Sequence, residues 1–164
     1  MDLITDRTYA DCERAQYLLD KVHRGEELTP AENEEYFSGL RGSYTMPIDW
    51  NRVESAVSIL SEQMGLGLVT KTDWTYQDIA TVSEIERYLG NIRRLYEAMD
   101  DKDDLEEPPT IDEWIDYRAA NRIEKILARL VGENTLTVGI LESTGLLLAD
   151  SAGNILLCIV DDRR

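Results

Sequence analysis

Few residues in this chain combine the type and spacing that chemistry requires. The single histidine, His23, sits beside Arg24 and Gly25 at the end of a helix-like segment. A Ser-His-Asp arrangement would rest on that one imidazole, and a histidine there complements the negative end of a helix dipole without any catalytic role. Cys12 and Cys158 lie near opposite ends with no CxxC spacing, a poor set of zinc ligands. The run DDKDDLEEPP, residues 100–109, offers six carboxylates in ten residues, the donor type that hard cations prefer. It lacks the central glycine and spaced terminal glutamate of a calcium loop and carries two prolines instead, so it reads as a solvated connector. Gly65-Leu66-Gly67 has neither the continuation nor the lysine of a phosphate loop. Trp74 and Tyr76, in KTDWTYQDIAT, could stack a sugar, but an aromatic anchor for a loop crossing a helical bundle is the preferred reading. With 33 acidic residues, carboxylate pairs arise by composition alone and carry no information about glycoside hydrolysis. The expectation is a protein without catalytic residues, metal or cofactor.

The bulk chemistry narrows the partners. The chain has 164 residues, 43% of them apolar and 30% charged, enough for one domain with a folded core, or a domain plus an appendage. Acidic residues exceed the 17 basic ones and leave a net charge of −16. That charge repels phosphate backbones and anionic lipid and favours solubility and basic partners. No apolar run approaches the ~20 residues of a membrane span. MDLITDRTYADCERAQ carries charges where a secretory leader needs an apolar stretch. The expected state is two reduced thiols in a chain made in a reducing cytoplasm.

The elements that would position these residues are mainly helical. Tyr9, Cys12, Ala15, Leu19 and Val22 recur at helical spacing over residues 8–22. A short second helix opens at Thr29-Pro30-Ala31-Glu32, a capping box with proline in the first turn. The third starts near Asp49, carries Trp50, Val53, Val57, Leu60 and Met64, and stops at Gly65. The fourth opens at Thr81-Val82-Ser83-Glu84 and the fifth at Thr110-Ile111-Asp112-Glu113, the latter carrying Trp114, Tyr117, Ile123, Ile126, Leu127 and Leu130. The reading is a short-helix bundle over residues 1–132.

After Gly132 the character changes. Residues 136–142 (LTVGILE), 145–150 (GLLLAD) and 154–160 (NILLCIV) are short and aliphatic, with turn residues between them. They predict a small C-terminal antiparallel β appendage over residues 133–164. So small a sheet needs a covering surface, and its free edges invite strands of other chains. Leu136, Val138, Ile140, Leu146, Leu148, Ile155, Leu157 and Ile159 are the expected subunit-interface residues.

The densest run of special residues, GLRGSYTMPIDWNRVESAV (residues 39–57), joins two helices. Gly39 and Gly42 are expected in left-handed conformations ending one helix, and Asp49 as the cap of the next. Tyr44 and Trp50 would pin the crossing, with Asn51 and Arg52 fixing its angle. Together with Asp6-Arg7-Thr8, Lys71-Thr72-Asp73-Trp74 and Ala120-Asn121-Arg122-Ile123-Glu124, this junction resembles a group of small uncharacterised proteins from tail modules of Firmicutes phages and prophages. The shared motifs are DRT-x-AD, G-x-K/R-G-x-Y, D-x-N-R-V-E, K-T-D-W and N-x-I-E, in order over roughly residues 3–130. The resemblance implies a non-enzymatic virion structural role in the tail tip, baseplate or fibre region. It also implies other virion proteins and further copies of the chain as partners, with no direct nucleic-acid or membrane contact. An acidic inhibitor that mimics nucleic acid is the alternative that the charge suggests, but here acids and bases interleave along amphipathic helices.

Overall fold

The computed structural model describes residues 2–113, 116–144, 148–149 and 155–157, and side chains as far as residue 132. Five helices follow in order: α1 (Tyr9–His23), α2 (Pro30–Ser38), α3 (Pro47–Gln63), α4 (Val82–Glu97) and α5 (Tyr117–Thr144). Three begin with a reciprocal cap. Thr8, Thr29 and Thr81 accept the amides of Asp11, Glu32 and Glu84 through their hydroxyls, and each acid side chain accepts the threonine amide in return. Each such cap contributes on the order of 1 kcal/mol by satisfying terminal N–H groups.

The main core lies where α3, α4 and α5 pack. Val53, Ala56, Val57 and Leu60 meet Leu89, Ile92 and Leu95, with Ile123, Ile126, Leu127 and Leu130 closing the cluster. Each fully buried aliphatic side chain contributes about 1.5–3 kcal/mol, and this burial holds the three helices together. A separate cluster of Ala15, Leu18, Leu40 and Met46, flanked by Leu19, Leu28 and Tyr36, holds α1 and α2. The acidic connector between α4 and α5 returns to the bundle at Pro108, which is fully buried and whose carbonyl accepts from Arg93 Nη2 at 3.3 Å.

Four expectations change. Helix α3 begins at Pro47, with Met46 as its cap residue. Asp49 is therefore two residues inside the helix, where its carboxylate reaches back to accept the Met46 amide at 3.1 Å; proline at the first helical position costs no hydrogen bond there. Gly39 has a left-handed φ of 99°, but Gly42 has no positive φ. Glycine is required at 42 because a Cβ would overlap the Asp11 carbonyl of α1. Helix α5 starts at Tyr117 and not at Thr110. Asp116 Oδ1 accepts the Arg118 and Ala119 amides at 2.9 and 2.8 Å, while Thr110 and Glu113 close an isolated turn. Trp114 and Ile115 lie outside the described residues.

The largest change is past the expected boundary at residue 132. Helix α5 continues to Thr144, so Leu136, Val138 and Ile140 belong to a helix and not to a strand. The leucines and isoleucines of 136–142 serve either element, and a 28-residue helix already under way adds a hydrogen bond for each residue it fixes. Beyond it, β1 (Leu148–Ala149) and β2 (Ile155–Leu157) pair antiparallel, Leu148 opposite Leu157 and Ala149 opposite Ile155. Leu146 and Ile159 lie outside the described residues.

Candidate functional site

Two places concentrate polar and aromatic side chains, and the first is buried. Glu124 on α5 is 1% exposed. Its carboxylate accepts from Arg7 Nη2 at 2.5 Å, from the Ile4 amide at 2.6 Å, and from Arg52 Nη2 and Nε at 3.0 and 3.1 Å. Arg7 also donates Nε to the Ser43 carbonyl at 3.1 Å and Nη1 to the Ile4 carbonyl at 2.6 Å. Asn121, one turn before Glu124, exchanges hydrogen bonds with the Arg7 backbone, accepting its N–H at 3.1 Å and donating to its C=O at 3.0 Å. Arg52 reaches Asp49 Oδ1 at 3.0 Å, and the Ser43 hydroxyl donates to Asp49 Oδ2 at 2.7 Å. Two guanidiniums and two carboxylates thus tie the N-terminal strap (residues 2–8, before α1), the junction, α3 and α5 into one charge-assisted network.

A second pairing holds the segment between α3 and α4. Glu54, 1% exposed, takes both Arg87 Nη2 and Nη1, at 2.5 and 2.9 Å, and the Lys71 amide at 3.2 Å. Asn51 grips the Trp74 backbone from both sides, accepting its N–H at 2.8 Å and donating to its C=O at 3.0 Å. Arg52 therefore joins α3 to α5, whereas Asn51 fixes the 71–80 segment and not the helix junction itself. Trp50 packs against Tyr88 and Trp74, with ring centroids 4.7 and 5.2 Å away. Tyr44 is half-buried, and burial raises its phenol pKa. Tyr44 borders, with Trp50, Tyr88 and Glu124, a small pocket of about 10 Å³, room for about one water.

The second place is open. A cleft of about 500 Å³ separates α1 and α2 from the start of α3 and the 71–80 segment. Tyr36, Trp50, Trp74, Tyr76, Asp78 and His23 stand along it. Trp74 is the buried anchor expected of a crossing loop, at 6% exposure, whereas Tyr76 is 73% exposed. The Lys71 ammonium sits 3.9 Å from the Trp74 ring centroid, a cation–π distance, and bonds Asp78 Oδ1 at 2.9 Å. That contact and the Thr75 bonds hold the Asp78 pKa down at about 2. The Trp74 Nε1–H is the one buried side-chain polar atom without a partner among the described residues. Burial first, then Tyr36 and Asp49, raise the Tyr76 pKa.

No group of three or more metal-ligating side chains occurs among the described residues, and no helix among them is long and apolar enough to cross a membrane. Cys12 is a free thiol whose pKa burial raises. Compared with family models, curated proteins and solved structures, the chain matches none.

The buried network was legible only in fragments. Arg7, Arg52, Asn121 and Glu124 all belong to the quoted motifs, but only the fold shows that they meet; Asn51 and Glu54, in the same motifs, serve the separate pairing with the 71–80 segment and α4. The open cleft was missed, although its signal was present: KTDWTYQD places two aromatic rings and an acid four residues apart beside a run with no helical period.

Proposed function

We propose that the chain is a non-enzymatic structural component of a phage or prophage particle, an adaptor in the tail tip, baseplate or fibre region. One observation supports the reading: the residues in the motifs that resemble tail-module proteins hold segments of the fold together. Arg7, Asp49, Arg52, Asn121 and Glu124 lock helices to one another, Glu54 and Asn51 fix the crossing segment, and Gly42 admits the α1 backbone. Residues that hold a rigid shape suit a part whose work is to be a fixed piece of an assembly. In this reading the C-terminal segment, including Leu148, Ile155 and Leu157, joins neighbouring subunits. Repetition in a symmetric particle turns weak contacts into strong ones. The acidic-decoy reading has the net charge alone in its favour, and Asp49, Glu54 and Glu124 are turned inward.

The test is a particle preparation. Density-gradient-purified virions from an induced lysogen, or from infected cells, should contain the chain at fixed stoichiometry by quantitative mass spectrometry. Its confinement to the particle-free lysate as a monomer would overturn the proposal.

A further inference from the structure

The open cleft is not explained by an architectural role, and its chemistry is selective. Four large aromatic residues line it, Tyr36, Trp50, Trp74 and Tyr76, with Tyr36 half-buried and Tyr76 73% exposed. Among the residues lining it there are one carboxylate, Asp78, which Lys71 bonds at 2.9 Å from outside the lining, and one imidazole, His23. Aromatic faces carry negative charge density and attract cations, and the surrounding chain has a net charge of −16. The protein already uses this attraction at the site, since Lys71 covers one ring face of Trp74 at 3.9 Å. Among the described residues no cation lies over the Tyr76 ring. Anionic ligands are repelled by the same field. A volume of about 500 Å³ falls within the range of about 300–1,000 Å³ typical of ligand sites, room for a long side chain and the backbone that carries it. The cleft also lies between the two apolar clusters, where binding sites tend to form.

We propose that this cleft receives an arginine or lysine side chain carried on a basic segment of a partner protein, stacked on Tyr76 and directed toward the Asp78 carboxylate. The guanidinium or ammonium shares Asp78 with Lys71, and the apolar stem lies along Tyr36 and Trp50. The inference does not depend on residence in a particle, because a chain absent from virions would still offer this cleft.

The test uses the full chain labelled with ¹⁵N and titrated with four probes. They are the peptide acetyl-Gly-Arg-Gly-Arg-Gly-amide, its lysine and glutamate counterparts, and chitohexaose as a neutral glycan. The assigned indole N–H signals of Trp50 and Trp74 report on the cleft. The arginine and lysine peptides should shift both signals in a saturable way, and the glutamate peptide and the glycan should shift neither. Tyr76→Ala, at an exposed position, should weaken the arginine peptide by about two- to fivefold. Tyr76→Phe, which keeps the ring, should retain the affinity, as should Tyr9→Ala, which removes an exposed ring outside the cleft. Binding of the glycan or the glutamate peptide at equal strength would overturn the proposal. So would unchanged affinity in Tyr76→Ala, or no shift with the cationic peptides at millimolar concentration.

Discussion

Replacing Glu124 with glutamine keeps the side-chain shape and removes the charge on which two arginines converge. Four donors point at that carboxylate within 3.1 Å, and a glutamine amide would present its own N–H₂ to some of them. Removing one partner of a buried ion pair costs about 3–5 kcal/mol, because the remaining charge stays desolvated. The Arg7 side chain has no exposed surface and cannot turn to water. Arg52 is 16% exposed and keeps its 3.0 Å contact with Asp49, which softens the loss. The expected cost is therefore near the lower end, about 3 kcal/mol, or about 6–12 °C in melting temperature for a chain of this size. Urea unfolding followed by circular dichroism should show a lower midpoint with an unchanged slope. Hydrogen exchange should show early loss of protection at the Ile4 amide, which donates to Glu124 at 2.6 Å. A double-mutant cycle with Arg7→Met should show strong coupling, since both changes break the same contact. A loss below about 1 kcal/mol, or an Ile4 amide protected as before, would refute the claim that this network holds the strap and α5 to the bundle.

Two further outcomes follow from the same geometry. Gly42→Ala should destabilise the protein by about 3 kcal/mol or more, because the new methyl meets the α1 backbone at Asp11. Gly90→Ala, in the exposed middle of α4 with nothing within 4 Å of the new Cβ, should stabilise it by about 0.5–1 kcal/mol; equal effects at the two sites would refute both assignments. For pH, Glu32 is held down to about 2 by the Thr29 amide and Lys21, and Asp78 to about 2 by Lys71 and Thr75. The unfolded chain takes up these protons nearer 4.5 and 3.8, so it binds more protons than the folded chain in the interval below, and stability falls with pH from about 4.5 to about 2. Glu32→Gln should flatten part of that decline in melting temperature, and a decline parallel to the parent's would count against it.

Much of the helical body was legible because its signals are local. Threonine with an acid three residues on marks a helix start through two hydrogen bonds that the chain makes with itself, and at Thr29 and Thr81 nothing competes. At Thr110 the same pattern misleads: the box closes a turn, and the helix waits for Asp116, whose carboxylate accepts two amides at once. Leu136, Val138 and Ile140 were misplaced for a related reason. A short apolar run has no period of its own that separates strand from helix, and the deciding factor was a helix already in progress. Gly42 was assigned its glycine for the wrong cause, since close approach between distant segments leaves no mark in the neighbouring residues.

The buried network shows why a recognisable set of motifs can point away from a reactive site. Arg7 and Glu124 are separated by 117 positions, and neither is tolerable alone in the interior, because an unpaired buried charge costs several kcal/mol. Arginine at 7 therefore demands an acid where α5 passes, a second arginine at 52 uses that acid's remaining lone pairs, and Asp49 answers Arg52 while capping its own helix. Each residue is constrained by the next, and together they fix the angle between α3, α5 and the strap. Such mutual dependence restricts which residues these positions can hold, whatever else the protein does. The surface with freedom to act lies elsewhere, at the cleft where Tyr76 stands exposed beside a carboxylate. Substitutions in the network should therefore change stability, and substitutions at Tyr76 should change binding while leaving stability alone.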